Sequence, residues 1–166
     1  MRATRRSRPE LPVGVGERLL AWSADADGRA VGGTRDALYL PSADGVVRLP
    51  WEQVEAADWD AEESLLTVQE VGRWGEVRPV HRVTVDATGR LLQLVRERVT
   101  ASVVLQRHVP VQGLHGVRII ARRAPSGDRP ITWLYEYDDG VDPNDPAVRE
   151  AAKAALARAQ EEIGAS

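Results

Sequence analysis

Two Asp-Gly pairs, Asp27-Gly28 and Asp44-Gly45, punctuate the first half of this chain and constrain its fold more than any other feature. Glycine tolerates positive φ, so such pairs suit the tight turns of antiparallel hairpins. Between them lie short apolar segments: ERLLAWSA, AVGGT, DALYLP and VVRLP. SLLTVQEV and VHRVTVD follow, and in the latter His81, Val83 and Val85 share one face by period-two alternation. With the segment ending at Trp59, this predicts about seven strands in roughly 70 residues, the spacing of a barrel or sandwich.

The stretch VRLPWEQVEAADWD, residues 47–60, concentrates tryptophan and acidic residues. Val47 and Leu49 alternate inward, Pro50 ends their strand, and WEQ makes a short turn. Ala57 and Trp59 then point one way, while Ala56, Asp58 and Asp60 point the other. The acids therefore fall on the solvent side or in the turn. Glu52 with Asp58 could be a carboxylate pair, but acid/base work needs two acids converging in a cleft. The segment reads as scaffold.

The period then changes. In TGRLLQLVRERVTASVVLQRH, Leu92, Val95, Val99 and Val103 fall on one helical face with Leu91 beside them. This predicts a helix over about residues 89–107, capped by Thr88 or Asp86 and stopped by Pro110. Its β-branched residues lower its intrinsic propensity, so it must pack on the strands before it. One core is expected from Leu38, Leu40, Leu66, Val68, Val83, Val85, Val95 and Val99. A hairpin follows, GVRIIARRA and ITWLYEY around PSGDRP. The last helix takes Asp145 as N-cap and Pro146 as first residue, with Val148, Ala152, Leu156, Ala159 and Ile163 as its apolar stripe and Gly164 at its end.

Apolar residues make up 43% of the chain, enough for a core, yet it has no Phe and one Met. The core must come from Val, Leu, Ile, Ala and Trp. The absence of cysteine removes disulfides, thiolate nucleophiles and Cys-ligated metals, and fits a cytoplasmic setting. Lys153 is the only lysine among 22 Lys and Arg residues. A net charge of -3 argues against a surface built for polyanions. Arg2, Arg5, Arg6 and Arg8 make residues 1–13 a basic, disordered tail. Arg5-Arg6 lacks the apolar stretch of an export signal, and no run reaches membrane-spanning length.

The segment from Gly14 to about His108 resembles the bacterial pleckstrin-homology-like and GRAM-like domains. The resemblance rests on three motifs: GE-x-LL at Gly16–Leu20, T-x-x-x-LYL at Thr34–Leu40, and LPW-x-x-V at Leu49–Val54. It implies an α+β fold, a bent antiparallel β-barrel of about seven strands plugged by a helix, here over residues 14–107 and followed by a hairpin-plus-helix extension at 108–166. The whole chain also looks like proteins of high-GC Gram-positive bacteria, which implies no activity. Lipid-binding pleckstrin domains hold inositol phosphates with basic residues in the first strand–strand loop. Here that loop is SADADGR, with Asp25, Asp27 and only Arg29, the wrong sign for a phosphate.

No residue pattern signals catalysis. There is no nucleophile elbow and no phosphate or dinucleotide loop, and Lys153 lies in the last helix. His81 reads as a partly buried strand residue. His108 and His115 flank a loop without zinc spacing, and DDGVDPND lacks the alternating oxygens of a calcium loop. No cofactor or metal is expected. What remains is the extension, where Trp133, Tyr135 and Tyr137 share a face of the second hairpin strand with Ile131, Arg118 and Arg122 share a face of the first, and Arg123 and Arg129 flank the turn. Aromatic and Arg enrichment is the composition of binding hot spots, although such stripes are commonly core, here packed under the last helix. The reading is a non-enzymatic interaction module for a protein partner or for itself as a homodimer. The alternative is anionic-surface or nucleic-acid contact through the hairpin arginines and the tail.

Overall fold

The computed structural model describes residues 9–72, 77–86, 89–125 and 130–164. These fall into two compact units. The first runs to Ser102 and takes in Ala124 and Pro125; the second holds Val103–Arg123 and the residues from Pro130 onward. The expected arginines Arg2, Arg5, Arg6 and Arg8, the cap Thr88 and the turn residue Arg129 lie outside the described residues.

Among its described residues the first unit contains seven strands, the number that the turn signals predict. β1 (Ala21–Ala24), β2 (Ala30–Gly33), β3 (Ala37–Ser42) and β4 (Gly45–Pro50) form one antiparallel sheet in sequential order. β5 (Val54–Asp60), β6 (Leu65–Glu70) and β7 (Val80–Thr84) form a second. Gly28 (φ 78°) and Gly45 (φ 124°) take the left-handed conformations for which the Asp-Gly turns select them. Among the described residues the strands do not close into a continuous barrel. A single antiparallel bridge, Asp25 with Val85, joins the first sheet to the second.

α1 (Leu91–Ala101) follows β7 and packs against β1, β2 and β5. Leu38, Leu40, Leu66, Val68, Val83, Val85 and Val95 are buried in one cluster, with Val99 half-buried against it. Ala57 and Trp59 lie against the same cluster, whereas Asp58 and Asp60 are exposed. The core adds Trp51, the largest fully buried side chain, from the short 3-10 turn Trp51–Gln53.

The helix is shorter than its periodicity suggests. Ser102 ends it: its N–H returns to the Arg98 and Val99 carbonyls and its Oγ donates to Val99 O at 2.6 Å. Val103 therefore opens a strand, β8 (Val103–Gln112), instead of extending the helical stripe. The four-residue spacing Val95, Val99, Val103 mimics a helix, but Val103, Leu105, Arg107, Val109 and Val111 also alternate with period two. Tertiary pairing decides in favour of the strand. Pro110 is not a helix stop but sits in this edge strand, where its missing N–H is tolerated, and a bulge adjoins it. Asp86 is not the cap either, since Arg90 occupies that position without a side-chain bond, and the Asp86 carbonyl accepts the Ser23 hydroxyl at 2.8 Å.

In the second unit β8, β9 (His115–Arg122) and β10 (Thr132–Tyr137) make a three-stranded antiparallel sheet in the order β10-β9-β8. α2 (Pro146–Gly164) packs on β8 and β9. Its N-terminus is capped as expected, with Asp145 Oδ1 accepting the Ala147 N–H at 2.8 Å. Ala152, Ala155 and Ala159 let the helix lie close to Leu105, Val117, Ile119 and Ala121.

Candidate functional site

Each unit contains one arrangement worth weighing as a site. In the first, the polar residues of the first two motifs converge with Arg48, which precedes the third. Glu17 has a side chain only 5% exposed. Its Oε1 accepts the Thr34 hydroxyl at 2.6 Å, and its Oε2 accepts Tyr39 OH at 2.7 Å and Arg48 Nε at 3.0 Å. Thr34 Oγ1 in turn accepts the N–H groups of Asp36 and Ala37, both at 3.1 Å. Tyr39 OH accepts the Gly14 N–H at 2.8 Å.

Burial alone would raise the Glu17 carboxyl. The bonds from Thr34, Arg48 and Tyr39 outweigh it and hold the group below the ordinary glutamate range. Arg48 is raised, chiefly by its bond to Glu17, and Tyr39 is raised by burial first. An ionised acid with every oxygen partnered is a poor proton acceptor. Its geometry instead ties the segment before β1 onto the β2–β3 turn, β3 and β4.

The loop between β1 and β2 closes on itself. Asp25 Oδ1 accepts the Asp27 and Arg29 N–H groups at 3.0 and 2.7 Å, and its Oδ2 meets Arg29 Nε at 2.7 Å. Asp27 lies 3.6 Å from the same guanidinium. Two carboxylates therefore flank the one guanidinium of this loop, which leaves it no open positive charge for a phosphate. Glu52 and Asp58 are not joined by a hydrogen bond or ion pair among the described residues; Glu52 is half-buried in the 3-10 turn and Asp58 is exposed.

The second unit holds the residues singled out for recognition, and the sheet divides them. Trp133 pairs with Ala121, Tyr135 with Ile119 and Tyr137 with Val117, so these three aromatics share the face that meets α2. They are half-buried against the cluster that Leu105, Val117, Ile119 and Ala121 form with the alanines of α2, together with Ile131. Burial raises both tyrosines above the ordinary phenol range, Tyr135 further through Tyr137 and Tyr137 despite an opposing pull from Arg149. The Tyr135 and Tyr137 rings are 6.2 Å apart and inclined at 44°.

Arg118 and Arg122 point to the opposite face. Arg118 meets Glu136 across the strands at 3.3 Å. Arg122 is 4% exposed and contributes little open charge, and Arg123 is half-buried. The expected cationic patch is thus reduced by burial and pairing. Arginines and aromatics form two surfaces, not one.

Two of the three histidines lie in polar pairs. His81 Nε2 is 2.8 Å from Glu70 Oε2, and His108 Nε2 is 2.7 Å from Asp138 Oδ2. That Asp138 oxygen also accepts the Gly116 N–H at 2.7 Å. The bond from His108 and then that from Gly116 hold its carboxyl low. His115 opens β9. Among the described residues, no three His, Asp or Glu side chains gather as a metal site, and no helix is long and apolar enough to cross a membrane.

The sequence reading missed both the convergence on Thr34 and the edge strand β8. For β8 the signal was its period-two apolar alternation. For Thr34 it was the motifs themselves, whose polar members meet only through contacts distant in sequence. No family model, curated protein or solved structure matches the chain.

Proposed function

We propose that the chain is a cytoplasmic, non-enzymatic interaction module: a bent, helix-plugged scaffold of the pleckstrin/GRAM kind carrying a protein-recognition sheet in its extension. Three features support the scaffold reading. The strands before the helix divide as four and three in sequential order, a bridge links β1's end to β7's end, and α1 lies across both sheets. Glu17 with Arg48 and Asp25 with Arg29 are engaged in bonds within this unit.

The observation that carries the functional reading is the state of Trp133 and Tyr135. They stand half-buried on an edge strand, beside a helix that packs on the other two strands. Rigid aromatics with one flank open supply contact area at low entropic cost. Affinity capture from the native cytoplasm at moderate salt, with and without nuclease, tests the reading. A specific protein retained by the intact chain, unaffected by nuclease and lost with W133A or Y135A, supports it. Capture that disappears with nuclease, or that ignores both substitutions, overturns it.

A further inference from the structure

We infer that the open edge of β10 is a self-pairing edge, which joins two copies of this chain into one continuous six-stranded sheet. The inference rests on the reading of the extension as a recognition sheet, and names its partner. Among the described residues β10 has β9 on one side and no strand on the other. The Asp138 N–H bonds to Gly116 O at 2.9 Å across β9. Antiparallel alternation therefore turns the backbone groups of Thr132, Leu134 and Glu136 toward β9 and those of Trp133 and Tyr135 outward. Outward N–H and C=O groups in a row are completed by another strand.

The two edges of this sheet differ in a telling way. β8 carries Pro110, an exposed Arg107 and two register breaks, at Val103/Leu105 and Pro110/Gln112. These are the devices that keep an edge from pairing. β10 has none of them: its six residues run in unbroken register with β9 and contain neither proline nor lysine.

Among the registers centred on Leu134, Tyr135 and Glu136, the first makes the β10 sequence complementary to itself. With a two-fold axis at Leu134, Trp133 faces Tyr135 of the second copy and Tyr135 faces Trp133, on the face that carries α2. Their outward backbone groups then bond each other. On the opposite face Leu134 meets Leu134 and Thr132 meets Glu136. Moving the axis to Tyr135 sets Leu134 against a carboxylate, and moving it to Glu136 opposes like charges, which is unfavourable. Because α2 packs on β8 and β9, the helices of the two copies flank the new aromatic pairs. One strand pair with these side chains lies at the small end of the roughly 1,200–2,000 Å² of stable complexes. The dimer is therefore reversible and depends on concentration.

The chain contains no cysteine, so a single introduced thiol reports the axis directly. Leu134 facing itself is a non-hydrogen-bonded pair, with Cα atoms about 4.5 Å apart, within the roughly 4.4–6.8 Å range that a disulfide spans. On mild oxidation, full-length L134C should accumulate as a covalent dimer. L114C, at a position 88% exposed on the β8–β9 turn, should stay monomeric under the same conditions. Sedimentation of the unsubstituted chain should show a monomer–dimer equilibrium, displaced to monomer by L134K with the circular dichroism retained. A chain that stays monomeric at all concentrations overturns the inference, as does a folded L134C that cross-links no faster than L114C. A monomer that still captures a partner through Trp133 and Tyr135 overturns self-pairing but leaves the interaction reading standing.

Discussion

The indole Nε1 of Trp51 donates to the carbonyl oxygen of Thr34 at 3.0 Å, from a side chain with no exposed surface. The Thr34 hydroxyl meanwhile donates to Glu17 and accepts from Asp36 and Ala37. One residue thus links the segment before β1, the β2–β3 turn and the 3-10 turn after β4. The three motifs that suggested a family resemblance are the three arms of this junction. They specify how the first unit is held together, which is why they say little about its activity.

Replacing Trp51 by Phe keeps most of the apolar volume and removes the indole donor. The Thr34 carbonyl is then buried without that partner, at a cost of about 1–3 kcal/mol. Trp51→Ala adds a cavity and should cost about 3–5 kcal/mol. Urea unfolding of the two variants checks the order. Equal losses would mean that the hydrogen bond, not the volume, dominates.

Gly33 is where α1 reaches the first sheet. A Cβ there would come within 2.7 Å of Leu94 Cδ2 and 3.2 Å of Trp51 Cζ2. G33A should destabilise by about 1–3 kcal/mol through overpacking, and L94A by about 2–5 kcal/mol through the void it leaves. Together they should cost clearly less than their sum, because the truncated leucine makes room for the new methyl. Strict additivity in a double-mutant cycle would show that the two positions do not share space.

The strands of the first unit were legible because Asp-Gly turns and period-two alternation are local signals, which positive φ at Gly28 and Gly45 confirms. The core was legible for the same reason, down to Val95 and the half-buried Val99. β8 was not, because Val95, Val99 and Val103 satisfy a helical period that only strand pairing with β9 interrupts. Nor was the division of the extension into an aromatic face and an arginine face. That division depends on register between β9 and β10, fixed by Trp133 opposite Ala121 and Tyr135 opposite Ile119. The Glu17 junction was not legible, since Thr34, Tyr39 and Arg48 reach it from separate strands and turns.

Asp145 caps α2 through its side chain at 2.8 Å from the Ala147 N–H, just before Pro146. D145A removes that acceptor and should cost about 1 kcal/mol, whereas D145N retains an oxygen and should cost little. Thermal unfolding monitored at 222 nm is a sufficient comparison. Equal destabilisation by Asn and Ala would point to the charge near the helix end instead of the cap.

The pH dependence of stability should carry the signature of Glu17. Its carboxyl is held lower in the folded chain than in the unfolded one, so the folded state binds fewer protons as the pH falls. The stabilisation is fully present above the unfolded value, about 4.3. It is lost as pH falls through the lower folded value. E17Q retains the shape but not the charge that Arg48, Tyr39 and Thr34 satisfy. It should be less stable than the original chain at pH 7, and the gap should narrow as the pH is lowered below about 4. Some acid sensitivity should persist in E17Q, because Asp25 and Asp138 are also held low by their hydrogen bonds. Urea titrations of both chains at neutral and acid pH measure the gap. A gap of constant size would assign the loss in E17Q to altered hydrogen bonding and remove the carboxylate's charge from the account.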